Sequence, residues 1–328
     1  MDVRMDEADL AIVERREDVD LSVVIAVRDP DRAAPMAALY ADYTEQFDQV
    51  GLTYEFIFVI EGDQPVVIDA LRALKEEGAP ITILVFARWY GNATALSAGF
   101  DYAAGQFVIT LPAYHQIDPT AIPGVVAAID DHDVVVARRW PRRDGAFTRM
   151  QVRVFHAVLR GLLGVEFNDL GSGVRLFRKE VLKTVQIYGD QHRFLPVLAD
   201  YYGFKVKEVD APQTSQDTFQ KHLSAGSYVN RVLDLFSIFF LTRFTKKPLR
   251  FFGATGLGIF GAGFILTAYL TVQRLFLEVP LADKPLLLLG VLLIVLGALF
   301  FAIGLIGEMI IFTNADEVQE YAVKEIID

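Results

Sequence analysis

The sequence predicts an α/β protein: a domain built on a mainly parallel sheet, followed by an interfacial helix and two C-terminal transmembrane helices. Two observations carry this expectation. β-branched apolar runs alternate with helical stretches over residues 21–212, and two long uncharged segments follow within residues 251–312. Composition agrees, because 53% of the 328 residues are hydrophobic, more than a water-soluble domain usually carries.

The runs LSVVIAV (21–27), YEFIFVI (54–60), ITILVFA (81–87), FVITLPA (107–113) and DVVVAR (133–138) have the length and branching of buried strands. Between them AAPMAALYADYTEQF, VVIDALRALKEEG, ATALSAGFDYAAG and AIPGVVAAIDD read as helices. Such alternation needs crossover connections, hence parallel strands covered by helices on both faces. Ligands of open parallel sheets bind beyond the carboxyl ends of the strands. The places to search are therefore Arg28–Asp29, Glu61–Gly62–Asp63, Arg88–Asn92, Pro112–Pro119 and Arg138–Arg143.

Residues 251–273 and 285–307 carry no formal charge, and about 20 such residues cross the hydrocarbon as a helix. Arg243, Lys246, Lys247 and Arg250 precede the first span, whereas the connector between the spans holds only Arg274 and Lys284. The asymmetry predicts both termini in the cytosol and the connector outside. Within 226–244, Val229, Val232, Leu233, Phe236, Phe239 and Phe240 recur at helical spacing, which fits an interfacial helix or one packed on the soluble domain. The expected order is a tail (1–20), the α/β domain (21–212), a juxtamembrane region (213–250), a transmembrane hairpin (251–312) and a C-terminal tail (313–328). The charged segment MDVRMDEADLAIVERREDVD has no apolar stretch of the signal-peptide kind.

A net charge of −11 argues against a nucleic-acid partner. The absence of cysteine removes disulfides, thiolate metal sites and cysteine nucleophiles. The five histidines are scattered without paired helical spacing, so they form no metal set; His115 alone sits inside a strand-end segment. Glu61 and Asp63 flank Gly62, an arrangement that holds a ribose diol, a cation, or simply a polar turn. Arg88 with Gly91–Asn92 at a helix start suits a diphosphate or an ordinary helix cap. In NDLGSGVRLF, Asp169 precedes a Gly-Ser-Gly turn, read either as a functional carboxylate or as an Asx turn. Arg149, Arg153, His156 and Arg160 share one helical stripe, a solvated face or a surface for anionic headgroups.

The order of RWYGNATALSAGFDYAAGQFVITLPA, NDLGSGVRLFRKEVL, HRFLPVLADYYGFKVKEV and TRFTKKPLRFFGATGL, followed by two spans, resembles a family 2 glycosyltransferase of the polyprenyl-phosphate (dolichyl-phosphate mannose or glucose synthase-like) type. The similarity runs from about residue 20 to 315. It implies a GT-A-type, Rossmann-like nucleotide-sugar-binding domain. It also implies inverting transfer of a hexose to a polyprenyl phosphate or other lipid-linked acceptor at the cytosolic leaflet of the cytoplasmic membrane. By the same resemblance Asp29, Glu61, Asp63, Arg88, Asn92, Tyr114 and Gln116 face the donor. Arg138, Arg139, Ser172 and Lys221 meet the acceptor phosphate, and Asp169, Asp118 and Arg175 serve the chemistry, Asp169 as general base or acceptor-orienting carboxylate. Mg²⁺ or Mn²⁺ is the implied cofactor.

The sequence departs from the family pattern in three places. Ile60–Glu61–Gly62–Asp63 stands where members carry Asp-Asp-Gly-Ser, Pro112 and Tyr114 stand where they carry Asp-x-Asp, and Pro30 replaces a common Glu. Pro112 and Tyr114 supply no carboxylate to a hard cation, which leaves the metal ligands unknown. Two readings stay open. In one, Arg88, Arg138 and Arg139, or a cation on Glu61, Asp63 and Asp118, stabilise the leaving nucleoside diphosphate; in the other, the chain is a noncatalytic membrane scaffold that keeps the fold. A third, with the spans as part of a lipid or ion pathway, requires several copies. Glycines in the spans suit the pairing of copies into a homo-oligomer.

Overall fold

The computed structural model describes residues 18–28, 35–143, 167–185, 191–219, 248–277 and 285–313. Asp29, Lys221, the cationic stripe of Arg149 to Arg160 and the expected interfacial helix 226–244 lie outside these residues.

The α/β domain runs β1 (Leu21–Val27), α1 (Met36–Asp48), β2 (Tyr54–Glu61), α2 (Pro65–Glu76), β3 (Ile81–Phe86), α3 (Asn92–Asp101), β4 (Phe107–Pro112), α4 (Ile122–Ala127) and β5 (Val134–Arg139). It continues with β6 (Arg175–Arg178), α5 (Lys179–Thr184), α6 (Leu195–Tyr201), β7 (Val206–Ala211) and α7 (Ser215–Phe219). The seven strands form one sheet in the order β3-β2-β1-β4-β6-β5-β7. Every pairing is parallel except those of β6, which runs antiparallel to both β4 and β5. The mainly parallel sheet expected from the alternating pattern is therefore present. β6 and β7 lie outside the five runs of that pattern: β6 is only four residues long, and VKEVDA of β7, on the sheet edge, mixes charged with apolar residues and is only partly buried.

Both sheet faces are covered, so the central strands are apolar throughout rather than alternating. Val23 and Ile25 pack with Phe56, Phe58, Leu39, Phe47, Leu71 and Ile122 in one core. Val24 points the other way, with Ile57, Val59, Ala95 and Leu96. Across the second half, Val134, Val136 and Phe177 meet Phe194, Leu195 and Val197. At the amino ends, Ser22 Oγ donates to Glu55 Oε1 at 2.7 Å, and Ala104 N–H donates to the same oxygen at 2.9 Å. This polar clamp leaves the opposite end of the sheet for ligands.

Two long helices, α8 (Pro248–Leu277) and α9 (Pro285–Thr313), form a separate compact unit. Their apolar stretches Pro248–Phe276 and Pro285–Ile310 have mean hydropathies of 1.7 and 3.1 and are mostly exposed. Phe276, Ile265 and Leu288 are 79%, 69% and 75% exposed, so this is not the buried core hairpin of a soluble domain. The pair is held by backbone proximity: a Cβ on Gly256 or Gly263 would lie 2.7 Å from the carbonyl oxygen of Gly297 or Gly290. Glycine at those positions lets the helices approach as helices in lipid do.

Candidate functional site

β1 pairs with β2 on one side and β4 on the other, so the chain reverses direction across the sheet between β1 and β4. The carboxyl ends of these strands and of β5 form the crevice where such sheets take ligands. Two clusters of side chains occupy it.

The first gathers around Glu61, the last residue of β2, which is buried. Its Oε2 accepts from the backbone N–H groups of Tyr90 at 2.9 Å and Gly91 at 2.8 Å. Gly91 has φ +101°, a conformation L side chains rarely adopt, and this bend aims both N–H groups at the carboxylate. Two of the amides expected to await an anion at the start of α3 are thus engaged by Glu61. Gln64 Nε2 donates to the carbonyls of Val27 at 3.2 Å and Glu61 at 2.9 Å, tying the ends of β1 and β2 together. Glu61 Oε1 and Gln64 Oε1 remain buried acceptors without a hydrogen-bond partner. Such orphans suit a ligand that brings donors. Asn92 opens α3, Asp63 is exposed, and Arg88 lies exposed with its guanidinium 4.9 Å from the ring centroid of Tyr90.

The second cluster centres on Arg139, the last residue of β5, and Asp169. Asp169 is placed by Glu208 of β7, whose carboxylate accepts from the N–H groups of Asn168 and Asp169, each at 2.9 Å. Arg139 donates through Nε to Asp169 Oδ2 and through Nη2 to Oδ1, both at 2.6 Å, and its backbone N–H adds a third bond at 3.1 Å. Its Nη1 donates to Asp217 Oδ2 at 3.0 Å. Asp217, on the short α7, also accepts from Gln213 Nε2, from Tyr114 Oη at 3.4 Å and from Gln116 Nε2 at 3.4 Å. Gln116 Oε1 in turn accepts from Gly173 N–H at 2.6 Å and faces Ser172 Oγ at 3.5 Å. Arg142 Nη1 stands 3.5 Å from Asp169 Oδ1.

Charge balance sets the protonation states. Burial opposes the charge of Asp169, but the guanidinium of Arg139, its hydrogen bonds and Arg142 outweigh that and hold the carboxyl down at about 2. Burial likewise opposes the charge of Arg139, yet Asp169 and Asp217 raise its pKa above the ordinary arginine value. Burial and the nearby Asp217 push the Tyr114 hydroxyl up to about 12. Removing one partner of such a buried pair costs about 3–5 kcal/mol.

The remaining residues singled out from the sequence have other neighbours. Asp118 caps the turn before α4, accepting from Thr120 N–H at 3.1 Å and Thr120 Oγ1 at 2.7 Å, bonds that lower its pKa. Arg138 forks onto Asp210 of β7, with Nη2 to Oδ2 at 2.7 Å, and stacks near Trp140. Arg175 is buried and donates to the carbonyls of His192 and Leu170, the latter at 2.8 Å; burial lowers its pKa to about 9. Asp169, Arg139, Tyr114, Gln116 and Ser172 therefore share one network, which Asp118, Arg138 and the donor groups of Arg175 do not join by hydrogen bonds. Asp217, Gln213 and Gln64 were not picked out from sequence. A lone acid in the polar segment SQDTF carries no pattern that marks it.

A divalent cation does not fit these residues. Among the described residues no three or more of His, Asp and Glu group as metal ligands. The buried carboxylates of the second cluster already accept from arginine and amide donors, which leaves them fewer lone pairs to offer a hard cation.

Residues 23–186 match Glycosyl transferase family 2, and the chain belongs to that family. It is a glycosyltransferase in family and fold. It is 30% identical over 293 residues to an undecaprenyl-phosphate 4-deoxy-4-formamido-L-arabinose transferase of Sodalis glossinidius, covering 88% of each chain. With a dodecaprenyl-phosphate galacturonate synthase of Rhizobium johnstonii it shares 28% identity over 283 residues, 84% of each. The fold is similar to that of glucosyl-3-phosphoglycerate synthase from Mycobacterium tuberculosis, solved with Mn²⁺, uridine diphosphate and phosphoglyceric acid. That comparison has a TM-score of 0.51 at 15% identity and covers 71% of this chain and 82% of the other.

Proposed function

We propose that the protein transfers a sugar, a hexose in the first instance, from a nucleotide sugar to a polyprenyl phosphate at the cytosolic face of a membrane, with inversion at the anomeric carbon. The two family relatives, named for dodecaprenyl-phosphate and undecaprenyl-phosphate products, support the acceptor class. Two long apolar helices support membrane attachment, and the distribution of Lys and Arg around them supports cytosolic termini.

The observation that carries the mechanism is the Arg139–Asp169 pair. A phosphate monoester is already an anionic nucleophile, so its oxygen attacks the anomeric carbon without losing a proton to the protein. The bond from that carbon to the nucleoside diphosphate breaks, and its electron pair leaves on the diphosphate oxygen. An Asp169 carboxyl held at about 2 is a weak base, and its part is to fix the guanidinium groups of Arg139 and Arg142. Charge at a departing phosphate is the main lever in such a displacement. Glu61 and Gln64 offer their unpartnered oxygens to N–H or O–H donors of the nucleoside. The Mg²⁺ or Mn²⁺ expected from the family resemblance has no suitable carboxylate set among the described residues, and no step here runs through it. Asp29, Asp63, Arg88 and Asn92 on the donor side, and Arg138, Ser172 and Lys221 on the acceptor side, are the further candidates.

The test is turnover of a panel of nucleotide sugars by the full chain in nanodiscs containing polyprenyl phosphate, with lipid products read by mass spectrometry. A glycosylated lipid phosphate of opposite anomeric configuration is expected. Neither product nor nucleotide binding across the panel would sink the proposal in favour of a noncatalytic scaffold.

A further inference from the structure

We infer that the carboxyl end of the sheet is a membrane-docking surface: Trp89, Tyr90 and Trp140 enter the headgroup layer of an anionic bilayer, with Arg88 and Arg143 on its phosphates. Six large apolar side chains stand exposed among the described residues of the α/β domain. Five of them, Val66, Val85, Trp89, Tyr90 and Trp140, lie at the carboxyl ends of β2, β3 and β5. The sixth, Tyr201, ends α6 where the chain turns into β7, at the amino end. Soluble surfaces scatter such residues singly, so their gathering at one end of the sheet marks a surface built for a partner.

The chain has two tryptophans, and both are on this surface, 62% and 58% exposed. Trp89 follows β3 and Trp140 follows β5, two strands that run the same way. β2, β1, β4 and β6 lie between them, so steps of about 4.8 Å from strand to strand place the two loops roughly 24 Å apart, on either side of the crevice. Both loops are anchored through the backbone. Tyr90 N–H donates to Glu61 Oε2 at 2.9 Å, and Trp140 N–H donates to the carbonyl of Ala211 at 2.9 Å. The backbone is held while the rings stay outside.

The chemistry selects a lipid surface. Trp and Tyr rings are apolar in body and polar at one edge, which suits them to the level of the headgroups. Each aromatic loop also carries an exposed arginine: Arg88, whose guanidinium lies 4.9 Å from the Tyr90 ring centroid, and Arg143, three residues after Trp140. Basic side chains are drawn to the anionic cytoplasmic leaflet. The opposite end of the domain is acidic, with Asp48, Glu76, Glu77, Asp130 and Asp131 exposed at the ends of α1, α2 and α4, so an anionic bilayer repels that end and attracts the tryptophan end. The chain's course agrees. α7 lies at the carboxyl end, since its Asp217 meets Arg139 of β5, and residues 220–247 lead from there to the first apolar helix, α8. On the transferase reading, docking brings the mouth of the crevice to the level of a lipid phosphate.

The two tryptophans make the chain its own probe. Emission of the full-length protein is measured in nanodiscs with a tryptophan-free scaffold and a mixture of phosphatidylglycerol and phosphatidylcholine. The acyl chains are either brominated near the headgroup or unbrominated, and no nucleotide is present. Bromine quenches on near contact, so tethering alone does not produce a signal. Trp89→Phe and Trp140→Phe leave one reporter each while keeping an apolar ring at the changed position. Brominated lipid is expected to remove most of the emission of the wild type and of each single-tryptophan protein, and acrylamide in the buffer to remove little. Arg143→Gln is expected to lower the ratio of quenched to unquenched emission about fivefold, the share of one arginine at an anionic surface. Full emission in brominated discs, with ready quenching by acrylamide, would overturn the inference. So would quenching that follows added uridine or guanosine diphosphate rather than bromine, which would give the rings to a nucleotide. Loss of emission from one reporter alone would overturn docking on both sides of the crevice. The wild-type measurement decides between lipid and water even if a variant fails to fold. Sugar transfer is not read, so a negative result leaves the transferase reading standing, and an inactive protein quenched by bromine leaves the docking surface standing.

Discussion

Arg139 and Asp169, thirty positions apart, meet in a buried fork of two 2.6 Å bonds at the carboxyl ends of the sheet. Neither side chain reaches water to any extent, at 3% and 2% exposure, so each is the other's main source of charge compensation. Asp217 completes the pairing from the far side of Arg139.

Asp169→Asn is expected to lower stability by about 3–5 kcal/mol, because it leaves Arg139 short of a counter-charge in the interior. Thermal unfolding of the variant in detergent reads this directly. pH dependence follows from the same pair. The folded carboxyl titrates at about 2, below its ordinary 3.8, so its stabilisation is present above about pH 4 and is lost as pH falls through 2. The wild type should therefore lose stability on acidification more steeply than Asp169→Asn; parallel acid profiles would contradict the assignment.

Gly171→Ala tests whether the Gly-Ser-Gly turn exists to make room for Arg139. A Cβ there would lie 2.7 Å from Arg139 Nη2, pushing the guanidinium off its carboxylates. A destabilisation of about 1–3 kcal/mol is expected, together with slower sugar transfer. An alanine variant with wild-type melting and turnover would show that the fork tolerates displacement.

Glu61→Ala leaves the N–H groups of Tyr90 and Gly91 without their acceptor, at a cost of about 1–3 kcal/mol. Glu61→Gln keeps one carbonyl oxygen for these amides and should recover most of the stability. Donor affinity, measured separately by titration, should fall in the alanine variant if the unpartnered Oε1 meets the nucleoside.

Membrane topology can be mapped without background, because the chain contains no cysteine. A single cysteine at Ala282 should react with an impermeant maleimide added outside intact cells. One at Ala315 should react only after the membrane is opened. The reverse pattern would overturn the orientation argued from Lys and Arg.

Much of the architecture was legible because it rests on short-range patterns. Runs such as LSVVIAV and YEFIFVI announce strands buried on both faces, and these became β1 and β2 within one residue of the expected ends. β7 escaped because an edge strand exposes half of its side chains and can carry Lys207, Glu208 and Asp210 without penalty. The site was legible by position only. Strand ends directed attention to Glu61 and Arg139, and the Gly-Ser-Gly turn to Asp169, but Asp217, supplied by a five-residue helix, had no local signature.

Sequence by itself determined the alternating α/β order and the two apolar helices, since hydropathy and periodicity are local properties, and set beside the family pattern it placed Pro112 and Tyr114 where members carry acids. Tertiary structure decided the partners. It alone brought Asp169 and Asp217 to opposite sides of Arg139 and turned Glu61 toward the start of α3. It also gave Asp118 to a turn and Arg175 to backbone carbonyls. Charge compensation and hydrogen bonding depend on distances of about 3 Å between residues far apart in the chain, and only the folded sheet sets those distances.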